Sequence, residues 1–261
     1  MGDPRALSRV AARLANRREG KLRVHPGPTP DADSMTVGAR GKSGALRAAI
    51  FGVNDGLVSN LSLIMGFAGA AVQNSVILLA GVAGLLAGAF SMGAGEYVSM
   101  RVQRELFERL LHLEAHELAT EPEEEHRELK AIYETKGFPS HLAEQVATVI
   151  MQDPDVALQT HAREELGLDP DELGSPWGAA VSSFLTFTLG ASVPLFSFIF
   201  ASGTAAVAAA IAASGVALFA VGATMSLITG RHALWSGLRM LLIGSAAAAI
   251  TYGVGHLLNV A

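Results

Sequence analysis

Cysteine is absent from the 261 residues, which removes disulfides and thiolate metal sites from consideration. Asp and Glu are absent from residues 173–261, where the only Lys or Arg are Arg231 and Arg239. A water-exposed domain of that length needs charge to stay dispersed, so lipid is the expected solvent for this stretch. No apolar core interrupts residues 1–43, and no secretory signal is expected there. The charge that is present is segregated along the chain. Residues 1–47 carry ten Lys/Arg against four Asp/Glu, a net of +6, whereas residues 101–175 carry seven against eighteen, a net of −11.

Five runs are long enough to cross a bilayer, for which about 20 apolar residues suffice. They cover residues 46–72, 76–97, 177–200, 205–228 and 240–258. The third contains Pro194, expected to kink it and free a backbone carbonyl. Basic residues flank the first run (Arg40, Lys42, Arg47), follow the second (Arg101, Arg104) and separate the fourth from the fifth (Arg231, Arg239), while the other two loops are uncharged. The positive-inside rule then puts the N-terminus and the acidic stretch in the cytoplasm and the C-terminus outside. Within the basic tail, ALSRVAARLANRR can form an amphipathic helix suited to anionic lipid, or remain a disordered tail, and HPGPTPDADS reads as a linker. The expected fold is an all-α integral membrane protein with five transmembrane helices. Its divisions are a basic tail (1–44), helices 1–2 (45–100), a cytoplasmic acidic helical domain inserted between helices 2 and 3 (101–175), and helices 3–5 (176–261).

The acidic domain grows directly out of the second span. Its helical pattern continues to about Ala119, breaks at Thr120-Glu121-Pro122, and resumes in segments 123–136, 139–151 and 154–166. About 75 residues make a modest core, so a second copy is expected to support it. At about 100° per residue, Glu114, Glu117 and Glu121 fall on one face together with Val102, Leu106, Leu110 and Leu113. A solvated acidic face would oppose the apolar stripe instead. Glu125 and Glu128 repeat the i, i+3 spacing, and Glu165 closes the last helix with Glu164 and His161 nearby. Carboxylates crowded at a packed face repel unless protons or cations intervene, and divalent metal is an efficient remedy. The plainer reading is a helix rich in Glu for solubility. His112 and His116 have i, i+4 spacing, but HLEAHE places its Glu at the wrong offset for a zinc-protease helix, and surface histidines are the simpler account.

Inside the spans, Asp55 stands within FGVNDGLVSN. A charge at a span centre costs roughly 2.5–3.5 kcal/mol and marks an ion or proton path unless a polar or basic neighbour holds it. Glu96, a second intramembrane acid nearer the end of its span, is expected on the transport path with Asp55 and Met92; Met92, one turn deeper between Gly88 and Gly93, can supply a thioether, as can Met65 and Met225. Carboxylate with thioether suits Fe2+ or Mn2+ better than Mg2+ or Ca2+.

NDGLVSNLSLIMGFAGA at 54–70, AGAFSMGAGEYVS at 87–99, REELGLDP at 163–170, and GATMSLITGR with the following SGLRMLLIG together resemble the vacuolar iron transporter family. That family includes the yeast-type vacuolar iron and manganese transporters. The resemblance covers about residues 45–258 and implies a homodimer of five-span protomers that exports Fe2+ or Mn2+ from the cytosol in exchange for protons. By motif it implies Asp55 and Met92 as membrane ion-path ligands, with Glu114, Glu117, Glu125, Glu128 and Glu165 as carboxylates of the metal-binding domain. The chain departs from the plant-type pattern at His161 and Ala162, where that pattern has methionine, and at Glu96, where it has a small residue. The expected protein is a transporter for metal homeostasis and not an enzyme. It has no tightly bound cofactor and no nucleic-acid partner; its partners are the bilayer, divalent metal ions and protons. A metal-sensing or docking membrane protein and a passive cation channel are the alternatives. Ala-, Gly- and Arg-rich usage suggests a bacterial plasma membrane.

Overall fold

The computed structural model describes residues 40–170 and 173–258; the expected N-terminal helix and linker lie outside them. Eight helices and no strand occur among the described residues. They are α1 (Arg40–Gly69), α2 (Asn74–Thr120), α3 (Pro122–Thr135), α4 (Ser140–Ile150), α5 (Pro154–Glu164), α6 (Pro176–Phe200), α7 (Gly203–Thr229) and α8 (Ala233–Leu258). Five of these, α1, α2, α6, α7 and α8, are long and apolar enough to cross a membrane. Two compact units divide the described residues, one at Gln103–Leu173 and the other combining Ala39–Val102 with Gly174–Ala261. The 47 residues of α2 contribute to both, and at 1.5 Å per residue they extend about 70 Å, over twice a hydrocarbon core.

In the apolar unit α1 is the hub, packing most extensively on α6 and then on α8. Glycine makes this possible. A Cβ on Gly56 would strike the Phe187 carbonyl and the Ala191 nitrogen of α6, and one on Gly190 would strike the Val53 carbonyl of α1. Missing side chains let the two backbones touch, the packing mode that replaces hydrophobic drive in lipid. Gly255 of α8 meets the Gly66 carbonyl in the same way. Between these seams, Ile64 packs with Leu195 and Phe198, and Leu57, Leu61 and Met65 pack with Leu218 and Ala248. Met65 is therefore core. By contrast α2 makes only scattered close backbone approaches to other helices. Side chains such as Leu63, Phe187 and Leu195 reach across to its Gly84, Gly88 and Gly81.

The helix ends follow local chemistry. Ser175 caps α6 by accepting from the Gly178 N–H at 3.1 Å, with Pro176 in the first turn, where a missing N–H costs nothing. The helix assignment continues through Pro194, whose absent N–H leaves the Gly190 carbonyl without its i+4 donor. The α1–α2 turn falls earlier than the sequence implies. α1 stops at Gly69, and Ala71 takes φ 53°, a left-handed conformation that an L side chain resists by roughly 1–2 kcal/mol. Ala71→Gly is accordingly expected to leave stability unchanged or raise it by up to about 1 kcal/mol, read as thermal unfolding in detergent.

One boundary needs correction. The fifth span was expected from residue 240, with TGRHALWSGLR as its preceding loop, but α8 begins at Ala233. Nothing in Ala233–Arg239 breaks a helix except Gly237, which is buried against the Phe219 ring. Arg239 is thus an exposed helical residue, not a loop residue.

In the acidic unit, α3 begins with Pro122 and has Glu123, Glu124 and Glu125 in its first turn, where negative charge complements the helix dipole. Asp153 caps α5, accepting from Asp155 and Val156. Leu129 is buried with Ala143, Ala147, Ala157 and Ala162, a core of small residues. Lys130–Glu144 at 2.8 Å and His126–Thr148 at 3.0 Å tie α3 to α4.

Candidate functional site

Two polar constellations stand out, one in each unit. In the acidic unit, Glu114 from α2, Glu125 from α3 and His161 from α5 are all buried, and each offers a ligand atom within 4.8 Å of the others. Glu125 also belongs to a second group with Glu128 and Glu165, equally close and half-buried. Exposures of 4% for Glu114, 1% for Glu125 and 0% for His161 are unusual for such residues. Among the described residues, Glu114 Oε1 has no hydrogen-bond partner.

Glu114 follows the apolar run of α2 in sequence and belongs to the acidic unit. Its pKa is pushed up to about 8, first by burial and then by repulsion from Glu165, Glu125, Glu117 and Glu128. Sequence spacing alone could not show that these carboxylates converge. With a folded-state pKa above the ordinary 4.5, Glu114 contributes stability that is fully present below pH 4.5 and lost as pH rises through about 8. Full-length protein held in chelator is therefore expected to unfold at lower temperature at about pH 9 than at about pH 6, as far as this group decides it.

His161 sits between two carbonyls. Its Nδ1 is 2.9 Å from the Ala157 oxygen, which requires an N–H, while Nε2 lies 3.2 Å from the Glu125 carbonyl and 3.8 Å from the Glu125 carboxylate. With Nδ1 held on the Ala157 carbonyl, Nε2 is the ring nitrogen turned toward Glu125. This is how a backbone carbonyl orients a metal-binding histidine.

Other sequence candidates fall elsewhere. Glu164 is next to Glu165 but turns to an ion pair with Lys136. Glu117 is half-buried and acts on Glu114 through its charge, yet neither close group includes it. Glu121, His112 and His116 are exposed.

The second constellation lies among the apolar helices. Asp55 and Met92 line one cleft of about 460 Å³ between α1 and α2, with Ser59, Asn60, Leu63, Gly84, Gly88, Ser91 and the Phe187 ring of α6. Asp55 is exposed on the protomer, and among the described residues no cation lies within ion-pair distance of its carboxylate. Glu96 is outside this cleft and faces Arg47 at 3.9 Å. Sequence reading missed Ser59, Asn60, Gly84 and Ser91. Helical spacing could have found some of them: 55, 59 and 63 repeat at i+4, and 84, 88 and 91 follow the same face of α2.

The cleft supplies a carboxylate, a thioether and hydroxyls, and the acidic unit supplies carboxylates and an imidazole. Such donors suit a borderline divalent transition metal. The chain is 30% identical to vacuolar iron transporter 1 of Tulipa gesneriana over 232 residues, covering 87% of this chain and 94% of the relative. It is 34% identical to the vacuolar iron transporter of Acanthamoeba castellanii over 237 residues, covering 90% and 86% respectively. A rice protein named vacuolar iron transporter homolog 1 is 35% identical over 210 residues, covering 80% of this chain and 72% of that protein. Residues 46–256 match the VIT family as a whole, and with relatives this similar over this much of its length, the chain belongs to that family.

Proposed function

We propose that this protein is a metal transporter, not an enzyme, that moves Fe2+ or Mn2+ out of the cytosol in exchange for protons. The observation that carries the reading is the cleft shared by Asp55 and Met92 between two helices fit to cross a bilayer, in a chain whose relatives are named iron transporters. An intramembrane carboxylate at a cavity is a functional group by default. Protons and metal compete for Asp55, and that competition is the coupling. The acidic unit, on the cytoplasmic side by the positive-inside rule, gathers the ion on Glu114, Glu125 and His161 and on Glu125, Glu128 and Glu165. Glu96, facing Arg47 at 3.9 Å near the end of its span, is proposed to serve the path outside the Asp55–Met92 cleft.

A homodimer is part of this reading. Leu113, Leu142, Val149 and Val156 are exposed on the acidic unit, and apolar surface on a water-facing domain calls for a cover. The membrane itself is proposed to be a bacterial plasma membrane on residue usage alone.

The test is flux. Full-length protein in liposomes should take up Mn2+ and Fe2+, and an opposing pH gradient should accelerate uptake about tenfold or more. Uptake indifferent to the gradient would favour a passive channel, and binding without flux a metal sensor.

A further inference from the structure

Asn60 on α1 is only 2% exposed. Its Nδ2 donates to the Ala191 carbonyl of α6 at 2.6 Å. A carbonyl accepts only from an N–H, so this bond fixes the rotation of the amide. The oxygen is thereby turned toward α2, where a Cβ on Gly84 would sit 3.1 Å from Asn60 Oδ1. Asn60 and Gly84 both line the cleft that Asp55 and Met92 share. Among the described residues, Oδ1 has no hydrogen-bond partner. Pinning α1 to α6 accounts for the nitrogen and leaves the oxygen unexplained, and a buried acceptor without a donor is costly.

Resting on the transport reading above, we propose that Asn60 Oδ1 is a direct ligand of the cation in the Asp55–Met92 cleft and sets its preference among divalent metals. The donor set becomes a charged oxygen, a soft sulfur and a neutral oxygen. An amide carbonyl strengthens cation binding without adding a group that protons can occupy. Metal release then depends on the proton at Asp55 alone. A hard neutral oxygen also favours Mn2+ or Fe2+ over metals that prefer sulfur. Glycine at 84 keeps the approach to that oxygen open.

The test exploits the lack of cysteine in the chain. Asn60→Cys in the full-length protein replaces the oxygen with a thiol, and Zn2+ and Mn2+ uptake into liposomes is compared with wild type. The Zn2+-to-Mn2+ rate ratio is expected to rise about tenfold or more, because thiolate selects zinc. An unchanged ratio with both rates slowed would reduce Asn60 to a structural pin and overturn the proposal. If the cysteine variant does not assemble, Asn60→Asp decides: Mn2+ half-saturation should fall several-fold if the position touches the ion, and an unmoved value overturns it. Wild-type vesicles that carry neither metal would instead remove the transport reading, and this proposal with it.

Discussion

Asp55→Asn lowers proton-driven Mn2+ uptake by about a hundredfold or more, while metal binding by the acidic unit stays within about twofold. The size follows from ligand chemistry. Losing an outer-shell partner already costs roughly 10–100-fold in metal affinity or activity, and among the described residues Asp55 is the one carboxylate lining the cleft. Asn keeps the shape and one oxygen but neither charges nor binds a proton in this range. The cleft therefore loses both its attraction for a cation and its exchange partner. The fold should survive. A carboxylate at a span centre carries an insertion cost of about 2.5–3.5 kcal/mol, so the variant's thermal unfolding in detergent should match or exceed wild type. Uptake at the native rate, with the gradient still felt, would show that Asp55 is a bystander.

Glu125→Gln should move two measurements in opposite directions. Glu125 is the member common to both close groups in the acidic unit, and its charge helps raise the Glu114 pKa. Replacing it with a neutral amide removes a ligand from both groups, so titration calorimetry on full-length protein should show Mn2+ affinity about a hundredfold weaker. The same change relieves repulsion among buried carboxylates, so the chelated protein should unfold at higher temperature than wild type. A residue that merely supports the fold would lower both. The pH dependence separates the cases further. Because Glu114 holds its proton up to about pH 8, wild-type metal affinity should weaken about tenfold per pH unit below that value and level off above it, one proton leaving per metal bound. In Glu125→Gln, with one repelling charge gone, the levelling should occur at lower pH. A break that does not move would mean that the two carboxylates do not share an ion.

The spans and the helical insertion were legible in the sequence because both depend on local pattern. Apolar runs of about 20 residues and the breaks at Pro122 and Pro154 need no tertiary information. The start of α8 was not legible: Arg239 looked like loop chemistry, but a charge does not break a helix and its side chain reaches solvent or headgroups from a helical backbone. Of the residues carried by motif, Glu114 and Glu125 are buried, whereas Asp55 lines a cleft while staying exposed, a difference that spacing does not reveal. Sequence could not separate Glu164 from Glu165. Neighbours on a helix point about 100° apart, and only the position of Lys136 decides which carboxylate turns outward. Nor could it single out Asn60, since an amide in an apolar run becomes informative only when its oxygen is found without a donor.

The glycine seam between α1 and α6 has a mechanical implication. Gly52, Gly56 and Gly190 bring peptide groups into contact, so sliding one of these helices past the other would drive backbone into backbone. α2 meets its neighbours mostly through side chains, such as Leu63 and Leu195, with the Ala180 carbonyl near Gly93 as an exception; side chains can change rotamer where backbone cannot. The stiffness of the ion cleft is therefore uneven. If the cleft changes width as an ion passes, the wall bearing Asp55 is expected to act as an anvil and the wall bearing Met92 to move.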